Sequence, residues 1–154
     1  MNTLVVFSSK HGTTRKCAQT IADRIKSDLV DCTSKQINLN NYSRIILCTP
    51  IYFGGITGEM KRFFKKHKEE LDKRSVVLLT CGLGGAQNAQ ATVDRFLDKF
   101  NLKNKINHEH LGGEIMWDSL NFFERVIMKA VSKEGLVPTL DAQKIDKVIN
   151  DLLI

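Results

Sequence analysis

Short apolar runs alternate with helix-length amphipathic segments along the 154-residue chain, and this alternation limits its fold more than any other feature. The apolar runs predict five β-strands, at residues 3–7, 30–32 with Ile37 nearby, 45–48, 76–80 and 108–116. Several of these runs are continuously apolar, which is typical of parallel strands that are covered on both faces. The sequence therefore predicts a parallel sheet buried between two outer layers.

The segments between the strands repeat apolar residues at the three- and four-residue spacing of an amphipathic helix. Strands that alternate with such helices predict an α/β fold, in which a doubly wound sheet carries helices on both faces. No internal repeat, low-complexity tract or linker interrupts the pattern, so we expect one domain over residues 1–154. The predicted stripes are Cys17, Ala18, Ile21, Ala22 and Ile25; Met60, Phe63, Phe64, His67 and Leu71; Val93, Phe96, Leu97 and Phe100; and Ile145, Val148, Ile149 and Leu152.

The start of the chain and its cysteines indicate a cytoplasmic protein. The sequence runs from Met1 directly into the first apolar run without a secretory leader, and no apolar run approaches the ~20 residues of a membrane-spanning helix. The cysteines have neither a C-x-x-C spacing nor a histidine at metal-ligand spacing, so we expect reduced core thiols and no metal site. The four are Cys17, Cys32, Cys48 and Cys81.

Positive charge is in excess, with 23 Lys and Arg against 17 Asp and Glu for a net charge of +6. This balance favours anionic partners or surfaces. No docking motif and no basic run interleaved with aromatics accompanies it, so nucleic-acid binding is not predicted. A solvated helix face also accounts for the main basic cluster, which contains Lys61, Arg62, Lys65, Lys66, Lys68, Lys73 and Arg74.

The loop after the first strand is rich in hydroxyl groups and opens directly onto a helix. Doubly wound sheets bind ligands at the carboxyl ends of their strands, and a phosphate here would meet backbone amides, hydroxyls and the helix dipole. An ordinary helix cap would need only one of these hydroxyls, and neither a Walker motif nor a dinucleotide fingerprint follows this strand. The predicted phosphate loop contains Ser9, Lys10, His11, Gly12, Thr13 and Thr14.

The loops after the third and fourth strands have the composition expected around a flat aromatic ligand. One contains an aromatic pair followed by glycines, and the other contains three glycines that permit a close backbone approach. The alternative is an aromatic pair that simply plugs a loop. The predicted ligand-contacting residues are Thr49, Pro50, Ile51, Tyr52, Phe53, Gly54 and Gly55 in the first of these loops, and Thr80, Cys81, Gly82, Gly84 and Gly85 in the second.

The first loop is similar to the T/S-x-T-G-x-T phosphate loop of flavodoxins, with His11 in place of the family's usual hydroxyl residue. The segment 49–57 resembles the flavin-contacting segment of flavodoxin-type quinone and FMN reductases. The resemblance implies a flavodoxin-like three-layer sandwich with strand order 2-1-3-4-5. It also implies FMN as cofactor, with its phosphate on the first loop and its isoalloxazine ring between the other two. The flavin then supplies the chemistry, and no side chain is predicted as acid or base.

The positive charge sets the chain apart from small acidic flavodoxins. Residues 63–67 together with 117–129 resemble the menaquinone-dependent protoporphyrinogen oxidases, which are basic flavodoxin-like enzymes at the membrane face, although the segment 83–88 is shorter than their substrate-side insertion. The resemblance implies an oxidoreductase that passes electrons through FMN to a quinone or similar acceptor. Two alternatives stay open, an electron shuttle between redox proteins and a flavin-free interaction module.

The segment from 112 to 130 is predicted to enter a helix with apolar residues on most of its circumference. One stripe fits the sheet, formed by Leu120, Phe123, Val126, Ile127 and Ala130. Three large residues fall outside that stripe and could cover a neighbouring loop, a partner protein or a membrane surface. These are Trp117, Phe122 and Met128, and they leave open a peripheral location at the inner face of the membrane.

Overall fold

The computed structural model describes residues 2–102, 106–113, 121–123, 125–126, 129 and 140–153. Its strands are β1 (Thr3–Phe7), β2 (Asp28–Asp31), β3 (Arg44–Tyr52), β4 (Gly55–Ile56), β5 (Ser75–Cys81) and β6 (Ile106–His110). Five of them form a parallel sheet in the order β2-β1-β3-β5-β6, and the two-residue β4 pairs antiparallel with the end of β3. Because β5 and β6 are the fourth and fifth predicted strands, the predicted order 2-1-3-4-5 is confirmed.

Helices cover both faces of this sheet. They are α1 (Thr13–Ile25), α2 (Gly58–Asp72), α3 (Ala86–Asp98) and α4 (Ala142–Leu153). The buried residues of α1 and α4 share one apolar cluster, and those of α2 and α3 share the other. Consecutive residues of β3 alternate between them, with Ile45 and Leu47 in one cluster and Ile46 in the other. Both faces of the strand are therefore buried, which explains its continuously apolar sequence.

The connection from β2 to β3 differs from the predicted strand-helix-strand pattern. It contains a three-residue 3-10 helix, Leu39–Asn41, in place of a full helix. Short polar side chains hold turns in this segment, since Asp31 Oδ1 accepts from the amide of Thr33 at 2.8 Å and Asn38 Oδ1 accepts from that of Asn40 at 2.9 Å. Such local hydrogen bonds compete with helix formation.

The segment near residue 122 departs from the predicted packing. Phe123 and Val126, which were expected on the sheet, are 76% and 53% exposed, and the ring of Phe123 contacts that of Phe122 at 5.8 Å. Val148 and Ile149 of α4 instead fill the cluster beside α1. The predicted positions of Trp117, Leu120, Ile127, Met128, Ala130 and strand residues 114–116 lie outside the described residues.

In the ranges that the structure describes, no helix combines the length and apolar character needed to cross a membrane.

Candidate functional site at the carboxyl edge of the sheet

The loop between β1 and α1 forms a cradle at the amino terminus of the helix. Gly12 lies just before α1 with φ of 98°, a left-handed conformation in which glycine is favoured. Within the described residues, no side chain caps α1. The Ser9 hydroxyl accepts a hydrogen bond from the Gly12 amide at 3.0 Å, and its own proton is left to be donated. Helix dipole, backbone amides and this hydroxyl together suit an anion.

Thr14 does not present its side chain to this cradle. It is 2% exposed, and its hydroxyl hydrogen-bonds to the Cys81 thiol beneath the loop. Thr14 also falls on the helical stripe of Cys17, Ala18 and Ile21, which is the sequence signal for an inward orientation. Any contact from Thr14 to a ligand would therefore come from its backbone.

Ser8 is a buried link between two loops that sequence reasoning missed. Its hydroxyl lies 2.6 Å from that of Thr57, and Thr57 caps α2 by accepting from the Met60 amide at 3.3 Å. The position of Thr57 before a helix predicts a cap, but its contact with Ser8 depends on tertiary structure. The hydroxyl pair ties the loop between β1 and α1 to the segment that follows β3.

The predicted loop after β3 is largely strand. Thr49 and Pro50 belong to β3 and are buried, so their side chains position the edge rather than line it. Tyr52 pairs with Gly55, and Phe53 and Gly54 form the two-residue turn between β3 and β4 with φ of 48° and 73°. Positive φ at both positions defines a type I′ hairpin, which is usually built from Asn-Gly. A phenylalanine there bears strain of about 1–2 kcal/mol.

Tyr52 and Phe53 have different environments. The Tyr52 ring meets His11 edge-on at 5.8 Å, and Lys10 Nζ lies 5.9 Å from the Tyr52 ring centroid. Phe53 is 92% exposed at the tip of the hairpin. Tyr52 therefore joins the hairpin to the loop between β1 and α1, whereas the ring of Phe53 is exposed.

The glycines after β5 and β6 serve two purposes. A Cβ on Gly82 would lie 2.9 Å from the Ile51 carbonyl oxygen, and one on Gly113 would lie 2.7 Å from the Gly82 backbone. The Gly82 amide also donates to the Gly112 carbonyl at 2.8 Å. These contacts let the ends of β3, β5 and β6 pack together. Gly84 and Gly85, in contrast, have no atom within 4 Å of the Cβ position and leave the loop surface open.

A polar chain that runs from buried Thr80 and His110 to half-buried His108 and exposed Gln90 lies behind this loop, and sequence reasoning missed it. Thr80 is fully buried, with its hydroxyl 2.8 Å from His108 Nε2 and 2.9 Å from His110 Nδ1. His108 Nδ1 lies 2.9 Å from Gln90 Oε1, and His110 Nε2 lies 3.1 Å from the Gly84 carbonyl oxygen. The signal in the sequence was the two-residue spacing of the histidines, which places both on one face of β6. Thr80 therefore positions histidines and does not itself line the edge.

Burial makes these histidines harder to protonate. Desolvation and then the neighbouring His110 lower the pKa of His108 to about 4, and burial also lowers the pKa of His110. Between pH 4 and the ordinary value near 6.5, the unfolded chain binds more protons at His108 than the folded protein does. Stability therefore decreases as the pH falls through this range.

We expect His108→Gln to lose less stability on acidification than the wild type, because it lacks this titration. Urea unfolding at pH 7 and pH 5 measures the difference between the two proteins. An equal loss in both would show that His108 does not contribute to the pH dependence.

All four cysteines are buried, as predicted. The Sγ atoms of Cys17 and Cys81 lie 3.8 Å apart. Their hydrogen bond and burial raise the pKa of the Cys81 thiol well above its usual range, and burial raises the pKa of Cys32 to about 12. Cys81 therefore stays a protonated thiol beneath the loop and is not an activated nucleophile.

A cleft of about 510 Å³ opens beside the glycine loop at the ends of β5 and β6. Residues 82–86, 112–113 and 140–144 line it together with His110. Lys144 of α4 donates through Nζ to the His110 carbonyl oxygen at 3.3 Å, so a cation lies near this wall. The cleft places a space for a small molecule next to the predicted ring loop.

Comparison with known proteins agrees with this architecture. The family model for the flavodoxin domain matches residues 4–140. The Escherichia coli (strain K12) protein named protoporphyrinogen IX dehydrogenase (quinone) is 20% identical in an alignment of length 144, and the alignment covers 86% of this chain and 80% of the relative. The alignment therefore spans most of both proteins.

Solved structures show the same fold. A flavoprotein in complex with FMN from Lactobacillus acidophilus NCFM gives a TM-score of 0.55 at 20% identity, over 71% of this chain and 90% of the other. A flavodoxin from Streptococcus pneumoniae TIGR4 gives 0.54 at 19% identity, over 86% and 99%. With its strand order, its edge loops and a family match over most of its length, the chain belongs to the flavodoxin domain family.

Proposed function

We propose that this protein binds FMN at the carboxyl edge of its sheet and passes electrons through it to a quinone or a similar acceptor. The observation that carries the proposal is that the uncapped amino terminus of α1 and the exposed ring of Phe53 lie at one edge of the sheet, where the contact of Tyr52 with His11 joins their loops. An anion cradle and an unsatisfied aromatic surface at one edge suit a ligand that has both a phosphate and a flat ring.

The residues present fit the two ends of FMN. The phosphate would lie on the backbone of residues 9–14, with the Ser9 hydroxyl as a donor and Lys10 nearby as a cation. The isoalloxazine ring would lie between the hairpin at 52–55 and the loop at 82–85, where Gly84 and Gly85 leave room for close approach. We therefore assign FMN contacts to these loops only. Four of the residues predicted to contact the ligand instead support the loops from within the sheet, namely Thr49, Pro50, Thr80 and Cys81.

Bound FMN would supply the redox chemistry, and the chain would hold and orient it. The Ser8–Thr57 contact would keep the phosphate cradle and the hairpin at a fixed separation. The hairpin and the glycine loop would exclude water from the two faces of the ring. No side chain needs to act as acid or base for these tasks.

The cleft beside the glycine loop is the proposed site of the acceptor. It adjoins residues 82–85, so a small molecule bound there would lie against the ring edge. The E. coli relative carries both protoporphyrinogen and quinone in its name, which makes these the first two compounds to test.

A flavodoxin-type electron shuttle is the second candidate, and five exposed basic residues on α2 favour it. Its exposed basic residues follow directly from the hairpin segment, and they would attract an acidic protein partner to this edge. These residues are Lys61, Arg62, Lys65, Lys66 and Lys68. The same charge would suit a peripheral contact with an anionic membrane.

The test begins with the visible spectrum of the purified protein and titration of the apoprotein with FMN. We expect a yellow protein or micromolar binding, followed by turnover of reduced flavin with a menaquinone analogue. Binding no tighter than millimolar would overturn the proposal and favour the flavin-free interaction module. Tight binding without turnover of either quinone or protoporphyrinogen would favour the shuttle.

Phe53→Asn should raise the stability of the apoprotein and weaken its binding of FMN. Asn-Gly is the preferred type I′ pair, so we expect the apoprotein to gain about 1 kcal/mol. Loss of the ring should weaken FMN binding by about 10-fold, because one aromatic contact contributes about 1.4 kcal/mol at most. Denaturant unfolding and fluorescence titration measure the two effects.

Tyr52→Ala is the matched control, since it truncates the ring that already contacts His11. It should lower the stability of the protein. It should also change the spectrum of bound flavin less than the corresponding truncation of the other ring, Phe53→Ala, does. The reverse order of spectral change would make Tyr52 the stacking residue.

A further inference from the structure

The polar chain behind the glycine loop has hydrogen-bond acceptors at both ends. The Gly84 carbonyl oxygen can only accept, so His110 must carry a proton on Nε2. At the other end, Gln90 Nε2 donates to Asp94 Oδ1 at 2.8 Å, which directs Gln90 Oε1 toward His108 Nδ1. His108 must therefore carry a proton on Nδ1.

These assignments leave one proton too few in the middle of the chain. When both rings are neutral, His108 Nε2 and His110 Nδ1 are both acceptors, and both face the single hydroxyl proton of Thr80. One of these two contacts is then unmade. One added proton completes all four hydrogen bonds of the chain, with Thr80 accepting from one ring and donating to the other.

The groups around the two histidines act on this added proton in opposite directions. Burial and the nearby Lys144 oppose it, whereas Asp94 on α3 favours it at His108 and the Gly84 and Gly82 carbonyls favour it at His110. The pair is therefore neutral at rest, but its hydrogen bonds are arranged for the charged form. Negative charge that developed near Gly84 would shift this balance toward protonation.

We propose that His108, Thr80 and His110 form one redox-linked protonation site, which takes up a single proton when electrons enter the flavin at this edge and releases it when they leave. The inference rests on the proposed function, because the electrons come from a reduced donor through the bound flavin. The proton comes from water and bonds to a ring nitrogen of the pair. It returns to water or to the acceptor as the negative charge leaves, so charge and atoms balance in both directions.

The first experiment is a titration of the histidine side-chain nitrogens by NMR in the full-length protein. We expect Nδ1–H on His108 and Nε2–H on His110, with the two rings sharing one coupled protonation step. Thr80→Ser keeps the hydroxyl and should preserve this coupling. Thr80→Val keeps the shape but removes the hydroxyl, and the rings should then titrate independently. Opposite tautomers, or identical titrations in the serine and valine variants, would overturn the site.

The second experiment counts the protons taken up on reduction of the FMN-loaded protein, with a pH indicator between pH 5 and pH 8. The wild type should take up one more proton per two electrons than His108→Gln/His110→Gln at the pH of greatest uptake. Equal counts with FMN bound in both would overturn this inference alone. A protein that binds no FMN would overturn the proposed function and the redox link with it.

Discussion

Gly113→Ala is expected to lower the free energy of unfolding by roughly 3 kcal/mol, or about 10 °C in Tm for a domain of this size. The new methyl group would lie 2.7 Å from both the carbonyl carbon and the oxygen of Gly82, and backbone atoms cannot move aside as a flexible side chain can. Gly82→Ala meets the Ile51 carbonyl oxygen at 2.9 Å and should act in the same direction. Thermal and urea unfolding measure both.

Gly84→Ala is the matched control, since nothing lies within 4 Å of its Cβ position. Its stability should be unchanged or raised by about 0.5 kcal/mol through loss of chain entropy in the unfolded state. If Gly113→Ala were as stable as Gly84→Ala, the ends of β5 and β6 would not lie as close together as the structure places them.

Gly12→Asp is expected to weaken FMN binding by at least about 100-fold. A carboxylate about 5 Å from a phosphate charge costs about 3 kcal/mol at an effective dielectric constant of about 20, and each 1.4 kcal/mol is about tenfold in Kd. Fluorescence titration of the apoprotein measures the change. Raising the ionic strength should reduce it, because the cradle is partly exposed.

Gly12→Asn separates charge from conformation, because asparagine has the size of aspartate and tolerates the same left-handed backbone. We expect it to bind FMN about 10-fold more weakly than the wild type at most. Riboflavin, which has the ring without the phosphate, should bind to the Asp and Asn variants with similar affinity. Equal FMN affinity for the Asp and Asn variants would exclude a phosphate at this loop.

The apolar period predicted the parallel sheet and the helical stripes because burial on two faces leaves a strong signal, whereas the strand order followed from the resemblance to flavodoxins. The sequence did not predict the short 3-10 connection after β2, where Asp31 and Asn38 form local hydrogen bonds that outweigh the topological expectation. The sequence predicted the third strand over residues 45–48, but β3 extends further. Pro50 lies inside β3 and pairs with Cys81 of β5.

At the candidate site, the sequence located the loops but could not orient their side chains. Thr14 reads as a hydroxyl donor in the linear motif, yet its place on the α1 stripe turns it toward Cys81. His108 and Thr80 are 28 residues apart, so their hydrogen bond depends on the register between β5 and β6. Only the paired strands reveal that contact.

The two outermost strands of the sheet also bear on how the protein behaves at high concentration. An unpaired strand edge can template another chain, and charged side chains on a short strand discourage this. β2 is four residues long with exposed Asp28 and Asp31 at its ends, and β6 is five residues long and polar from Asn107 to His110. Within the part of the chain that the structure describes, both edges of the sheet are therefore poor templates for edge-to-edge pairing with further copies.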